Sequence, residues 1–315
     1  MNLQSIVEQY AAFRKTLGER FGTNGRLLKS FCRAMGQDLD VSDVTPEKVN
    51  AFLAGKGPLT ASWHVKHNAL LGFYRYAISR GFVATSPLPV VIPKRPPAFQ
   101  PYIYSQVELQ RLLDSTASYQ RNRGRLDPFM VRSLLLLMYA SALRTSEALS
   151  LTMDDVNLAD AVLTVRDSKF FKSRLVPLGP KTVHALDEYA SRRNTCGHPQ
   201  GGDAPFFMGR NGRGINIYTL DGAFQRLREH AGLRREGGPR CQPRLHDLRH
   251  TSAVHRLTAW YREGKDVQKL LPQLSVYMGH TYLAATQVYL TMTPELLHEA
   301  SLRFERYVTP EGRND

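Results

Sequence analysis

Residues 127–151 read DPFMVRSLLLLMYASALRTSEALSL, and how this stretch is read decides the fold. DPFMVRSLLLLMYASAL is apolar around its whole circumference, the pattern of a helix buried inside a domain, and is shorter than the roughly 18 residues that a membrane span needs. A cation, Arg144, follows directly, with Glu147 three positions on, the spacing at which two helical side chains share a face and form an ion pair. Taken alone, such a pair reads as a solvated ion pair.

Working outward, AVLTV (161–165) and RLVPL (174–178) read as two short strands flanking a loop at DSKFFKS, and Pro180 opens a helix that runs to about Arg193. Glycines and polar residues over 199–216 predict loops around a short apolar segment, and helices resume from about Tyr218. Upstream, Ser105 and Glu108 make an S-x-x-E capping box ahead of Leu109, Leu112 and Leu113. Before that lies SPLPVVIPKRPPAFQP (86–101), whose six prolines hold the chain extended around Lys94 and Arg95. It reads as a hinge in preference to a polyproline ligand.

The first ninety residues carry apolar stripes at helical spacing, Leu3, Ile6, Val7 and Tyr10, then Leu27, Leu28, Phe31 and Met35. Thr45 and Thr60 are candidate caps, Pro46 a first-turn proline and Gly81 a helix stop. The expected fold class is mainly α with a small β-sheet (α+β). The expected domains are a helical unit at 1–90, a proline-rich linker at 91–101 and a second domain at 102–315 with a terminal helix at about 294–306.

The chain has 315 residues and 42 Lys plus Arg against 28 Asp plus Glu, a net charge of +14 that makes a polyanion, nucleic acid first, the natural partner. Its three cysteines, Cys32, Cys196 and Cys241, are far apart and odd in number, which argues against a disulfide framework. The N-terminus MNLQSIVEQY lacks the basic and then apolar pattern of a signal peptide, and no long apolar run follows, so the expected location is cytoplasmic, with no membrane partner.

Several polar residues interrupt otherwise apolar patterns. Lys169, on the turn between the two strands, can reach a phosphate in a groove, though most turn lysines face water. In HDLRHTSAVHR, His246 and Arg249 are three apart and project toward one point, an arrangement suited to an oxyanion. The competing reading is a metal held by His246 and His250, but no glutamate follows as in H-E-x-x-H, and Arg249 adds positive charge beside the cation. YMGHTYLAATQVYL supplies His280 and, nine positions on, Tyr289. A phenol ionises near pH 10, so a nucleophilic role for Tyr289 demands cationic or basic neighbours.

In order, Arg144, Lys169, His246-x-x-Arg249, Gly279-His280 and Tyr289 resemble the tyrosine recombinase (lambda integrase-like) family, by motif from about residue 102 onward. A small helical domain before a proline-containing linker is also that family's layout. The resemblance implies a helical core-binding (SAM-like) domain followed by a catalytic domain that cleaves and rejoins DNA through a 3'-phosphotyrosyl intermediate. Tyr289 would be the nucleophile, Arg144, Arg249 and His280 the phosphate-binding groups, and Lys169, aligned in preference to Lys172, the general acid. His246 would help manage the tyrosine proton, and Glu147 would be structural support. No cofactor, metal or ATP is implied, and GPKT (179–182) lacks the glycine spacing of a phosphate loop. One departure is GKDVQKLLPQLSVYMGH, longer than usual before its histidine and with Met278 where leucine is common.

The same resemblance implies double-stranded DNA as partner; the basic stretch RLREHAGLRREGGPRCQPR reads either as a phosphate-facing region or as a solvated helix and loop. The resemblance also implies a homo-oligomer on DNA, a tetrameric synapse, and accessory DNA-bending or partner recombinase proteins. TPELLHEASLRFERY, capped by Thr293 with Pro294 in the first turn, places Leu296, Leu297, Ala300 and Phe304 on one stripe. Docking on its own core is the ordinary reading, and the family suggests donation to a neighbouring protomer instead. Integration or transposition of a mobile element is the expected role. The rivals are type IB topoisomerase-like relaxation, chromosome-dimer resolution by the same chemistry, and a catalytically silent DNA-binding regulator.

Overall fold

The computed structural model describes residues 2–36, 38–97, 99–119, 124–166 and 173–308. The chain divides into two compact units, Met1–Phe99 and Gln100–Asp315.

The first unit contains α1 (Leu3–Thr16), α2 (Gly22–Met35), α3 (Pro46–Ala54) and α4 (Ala61–Ser79). Asn2 caps α1, its Oδ1 accepting from the Gln4 amide at 2.8 Å. Thr45 caps α3 as expected, with Pro46 in the first turn. Thr60 stands at the start of α4, but its hydroxyl meets Ser62 Oγ at 2.6 Å and satisfies no backbone amide. The predicted stripes close one core: Leu3, Ile6, Leu28 and Phe31 are fully enclosed with Leu70, Phe73 and Tyr74 of α4.

In the second unit the capping box at Ser105 and Glu108 is present in both directions at the head of α5 (Gln106–Asp114). The quoted apolar stretch is α6 (Pro128–Ser141), capped by Asp127, whose carboxylate accepts from the Phe129 amide at 2.9 Å. Its Leu134, Leu135, Leu137 and Met138 are buried, and the helix ends where Ala142 adopts a left-handed φ of 51°. That turn delivers Arg144 to the head of α7 (Thr145–Ser150), so Arg144 precedes the short helix and is not a member of it.

The sheet is antiparallel, β1 (Val156–Asn157), β2 (Val162–Val165) and β3 (Arg174–Pro177), in that order. Leu163 pairs with Val176, and both are buried against the core that also encloses Leu186 of α8 (Pro180–Thr195). In the loop region Phe206 and Phe207 are buried beside Tyr189, and Arg193 secures the chain by donating to the carbonyls of Pro199 and Pro205. Then come α9 (Ile217–His230), α10 (Asp247–Arg262), α11 (Val267–Met278), α12 (Ala284–Gln287) and α13 (Pro294–Val308). The fold is mainly α with a small sheet. Among the described residues no helix is long and apolar enough to cross a membrane.

Candidate active site

Arg144 and Glu147 form the expected ion pair at 2.7 Å, and Glu147 Oε2 also accepts from the Arg144 amide at 2.9 Å. Glu147 has a second partner that local spacing does not reveal. Arg174, at the start of β3, donates to both carboxylate oxygens at 3.1 and 2.9 Å, and its Nε donates to the Tyr277 carbonyl. Arg249 is 4.0 Å away. Burial opposes the charge on Glu147, but bonds from Arg174 and from the Arg144 amide outweigh it and hold the carboxyl at about 2.

Arg249 lies in the first turn of α10 and is fully enclosed. Its guanidinium donates to the carbonyls of Ala142 at 2.5 Å and Met278 at 2.7 Å, while Arg144 donates to the Gly279 carbonyl at 3.0 Å. The end of α6 and the end of α11 are thereby tied to two guanidiniums. Burial and the neighbouring Arg144 lower the Arg249 pKa to about 10. Gly279 ends α11 in the left-handed region, φ 68°, a conformation that favours glycine, and a Cβ there would lie 2.7 Å from an Arg174 nitrogen and push that guanidinium aside.

Tyr289 sits in a single 3-10 turn, Val288–Thr291, after α12, with 2% of its surface exposed. His280 lies beside it with near-parallel rings 6.1 Å apart, and its Nδ1 is 2.7 Å from Thr286 Oγ1. The imidazole hydrogen-bonded to the phenol is His250, Nδ1 to Oη 3.1 Å. His246, just before α10, stands perpendicular to His250 with ring centres 4.9 Å apart. Burial lowers the pKa of His280 and of His250 to about 4, helped by Arg249 and Arg144 for the first and by His246 for the second. His246 shifts the same way, from lost hydration on its protein side and from Arg249 and Arg244. Burial raises the Tyr289 pKa, with Arg249 and Arg144 pulling it back. At neutral pH the resting pocket therefore holds neutral imidazoles, a protonated phenol and charged guanidiniums.

The structure thus brings Arg144, Glu147, Arg249, His280 and Tyr289 into one pocket, with His246 at its edge. Lys169 lies outside the described residues. Arg174 and His250 join the set unforeseen: the first was read only as a strand residue, the second only as a partner in a competing metal site. Beside the pocket opens a groove of about 1070 Å³ whose lining includes Arg144, Arg228, Arg234, Arg235, Arg244 and His246. Four of these arginines come from the basic segment 226–244.

The second unit is thus mainly helical and gathers arginines and histidines around a buried tyrosine. Residues 104–295 match the model of the phage integrase family, and the chain belongs to that tyrosine recombinase/integrase family, whose members catalyse DNA cleavage and rejoining. Integrase/recombinase y4rB of Sinorhizobium fredii is 34% identical over 306 residues, covering 96% of this chain and 97% of that protein. Two solved structures share the fold. The integrase of transposon Tn1549, in complex with transposon right end DNA, has a TM-score of 0.70 at 16% identity, covering 98% of this chain and 100% of that one. A lambda integrase dimer bound to a COC' core site has a TM-score of 0.68 at 19% identity, covering 93% and 97%.

Proposed function

We propose that this protein is a site-specific recombinase in which Tyr289 attacks a scissile phosphate of double-stranded DNA, giving a 3'-phosphotyrosyl enzyme and a free 5' hydroxyl. The observation that carries this is the buried phenol of Tyr289, hydrogen-bonded to an imidazole and flanked by two guanidiniums. Each guanidinium has five N–H donors. Arg144 and Arg249 commit some to Glu147 and to backbone carbonyls, and the remaining donors bind the nonbridging oxygens, more strongly as charge builds on the phosphorane. His280 hydrogen-bonds the phosphate, Lys169 protonates the departing 5' oxygen, and His246 helps manage the tyrosine proton. Glu147 holds the arginines in place. Because the phosphotyrosyl link keeps the energy of the phosphodiester, a 5' hydroxyl from another strand reseals the backbone without ATP or metal.

The helical unit at 1–90 and the catalytic domain at 102–315, joined by the linker at 91–101, grip the duplex, and the basic groove follows its phosphates. The recombinase works as a homo-oligomer on DNA, a tetrameric synapse in which α13 passes to a neighbouring protomer. Leu296 is buried within its own chain, whereas Leu297 and Phe304, predicted on the same stripe, are exposed and free to meet a partner. The role in integration or transposition of a mobile element rests on the similarity to an integrase/recombinase of comparable length.

The test offers nicked suicide duplexes, with randomised cores where the site is unknown, to wild type and to Tyr289→Phe in EDTA. Wild type is expected to trap a covalent protein–DNA adduct and the variant none. An adduct with the variant, or none with wild type across the pool, overturns the mechanism.

A further inference from the structure

We infer that His250 is the base that receives the phenolic proton when Tyr289 attacks DNA, an inference that rests on the reading of Tyr289 as nucleophile. Its ground is geometry. Nδ1 of His250 is 3.1 Å from Tyr289 Oη, within the reach required of a general base before any substrate arrives. The other two imidazoles are placed differently: His280 Nδ1 is engaged by Thr286, and His246 meets the edge of the His250 ring.

His250 is also chemically suited. It stands in the first turns of α10, where the positive helix end disfavours an imidazolium. Around it stand Arg244, His246, Asp247 and Arg249 from α10 and the segment before it, Tyr289 from its 3-10 turn, and His280 from the end of α11. With a pKa of about 4 in the free protein, the ring is neutral at physiological pH. In the tautomer protonated at Nε2, its Nδ1 lone pair accepts the phenol O–H.

An imidazolium at this position is disfavoured until a scissile phosphate adds negative charge, so proton acceptance is coupled to DNA binding. In the step, the Oη–P bond forms as the P–O5' bond breaks. The phenolic proton passes to His250 Nδ1 and O5' takes a proton from Lys169. Rejoining reverses both transfers, with His250 returning its proton to the leaving phenolate. His246, perpendicular to His250, then acts as a positioning residue for that ring.

The test measures single-turnover adduct formation on duplexes selected from the randomised pool with wild type, comparing His250→Ala and His250→Asn. Asparagine can hydrogen-bond the phenol at the Nδ1 position but cannot take its proton, and thermal melting checks that each variant is folded. Both variants are expected to cleave about 100-fold more slowly or worse at neutral pH. The deficit should shrink as pH rises toward the phenol's own ionisation. A second substrate carries sulfur in place of the bridging 5' oxygen, a leaving group that needs no acid. It should rescue Lys169→Ala and leave His250→Asn slow.

Wild-type rates in His250→Asn, a deficit that stays constant with pH, or rescue by the sulfur substrate would each overturn the assignment to His250 while leaving Tyr289 as nucleophile. Absence of any adduct with wild type would instead remove the nucleophile itself.

Discussion

Arg144, Arg174 and Arg249 converge with Glu147 as their shared anion, and the carboxylate is what lets three guanidiniums approach before DNA arrives. Removing one partner of a buried ionic cluster leaves charge uncompensated, which costs about 3–5 kcal/mol. Glu147→Gln is therefore expected to lower the free energy of unfolding by that order and to loosen Arg144, and an unchanged stability would show that the anion is dispensable. The pH dependence has a definite sign. The Glu147 carboxyl is held at about 2, against 4.5 for an unperturbed glutamate, so its stabilisation is complete above pH 4.5 and is lost as pH falls through 2. Acid titration of unfolding should show that loss in wild type and a flatter curve in Glu147→Gln. Gly279→Ala should also destabilise, because φ of 68° costs an L-residue about 1–2 kcal/mol and the new methyl displaces the Arg174 guanidinium from the carboxylate. The chemical types at this site were legible in the sequence, since Arg144, His246, Arg249 and His280 interrupt apolar patterns and Tyr289 follows them in the order of the family's motifs. Arg174 and His250 were not assigned their partners, because Arg174 meets residues 27 and 103 positions away and His250 one 39 positions away. No local periodicity encodes contacts of that separation.

Among the elements, long apolar periods and caps with a hydrogen-bonding mechanism carried over well: α6, the Ser105 capping box, the Thr45 and Thr293 caps and the pair β2 and β3 follow the expected ranges. The two-residue β1 was not anticipated, since it is too short for alternation to register and exists by pairing with β2. Helix α13 departs from its predicted stripe because only part of that face lies on the core. Leu296 enters the cluster that also holds Tyr289, Ala253 and Leu257, while Arg262 of α10 pairs with Glu295 and Glu299 across the contact. Exposed ion pairs contribute little, about 0–1 kcal/mol, whereas truncating a buried leucine costs about 2–5 kcal/mol. Leu296→Ala should thus release α13 in hydrogen exchange far more than Arg262→Ala does, and equal protection in both variants would contradict that ordering. If α13 is donated in the synapse, a protein ending at Thr293 should still fold its first unit yet lose strand exchange, and undiminished exchange would end that idea.

For the whole molecule, the excess of 14 positive charges says that a polyanion will be attracted, but net charge alone places no path on the surface. The groove offers one, because Arg228, Arg234, Arg235 and Arg244, 84 to 100 positions beyond Arg144, line it together with Arg144 and His246. In the proposed mechanism a phosphate track along these cations, which reaches Arg144 and His246, would couple affinity to catalysis, because binding there would order the DNA and supply the negative charge that the arginines lack. Each phosphate neutralised releases counterions, so log affinity should fall linearly with log salt, with a slope of about −0.9 per contact on duplex DNA. Arg234 is exposed on that lining. Arg234→Ala is accordingly expected to weaken binding to all duplexes alike and to make the slope shallower by about 0.9, without changing which sequences are cleaved. Fluorescence anisotropy across a salt series reads both quantities. A slope identical to wild type would move the DNA path out of this groove, whereas a change confined to particular sequences would make Arg234 a reader of bases.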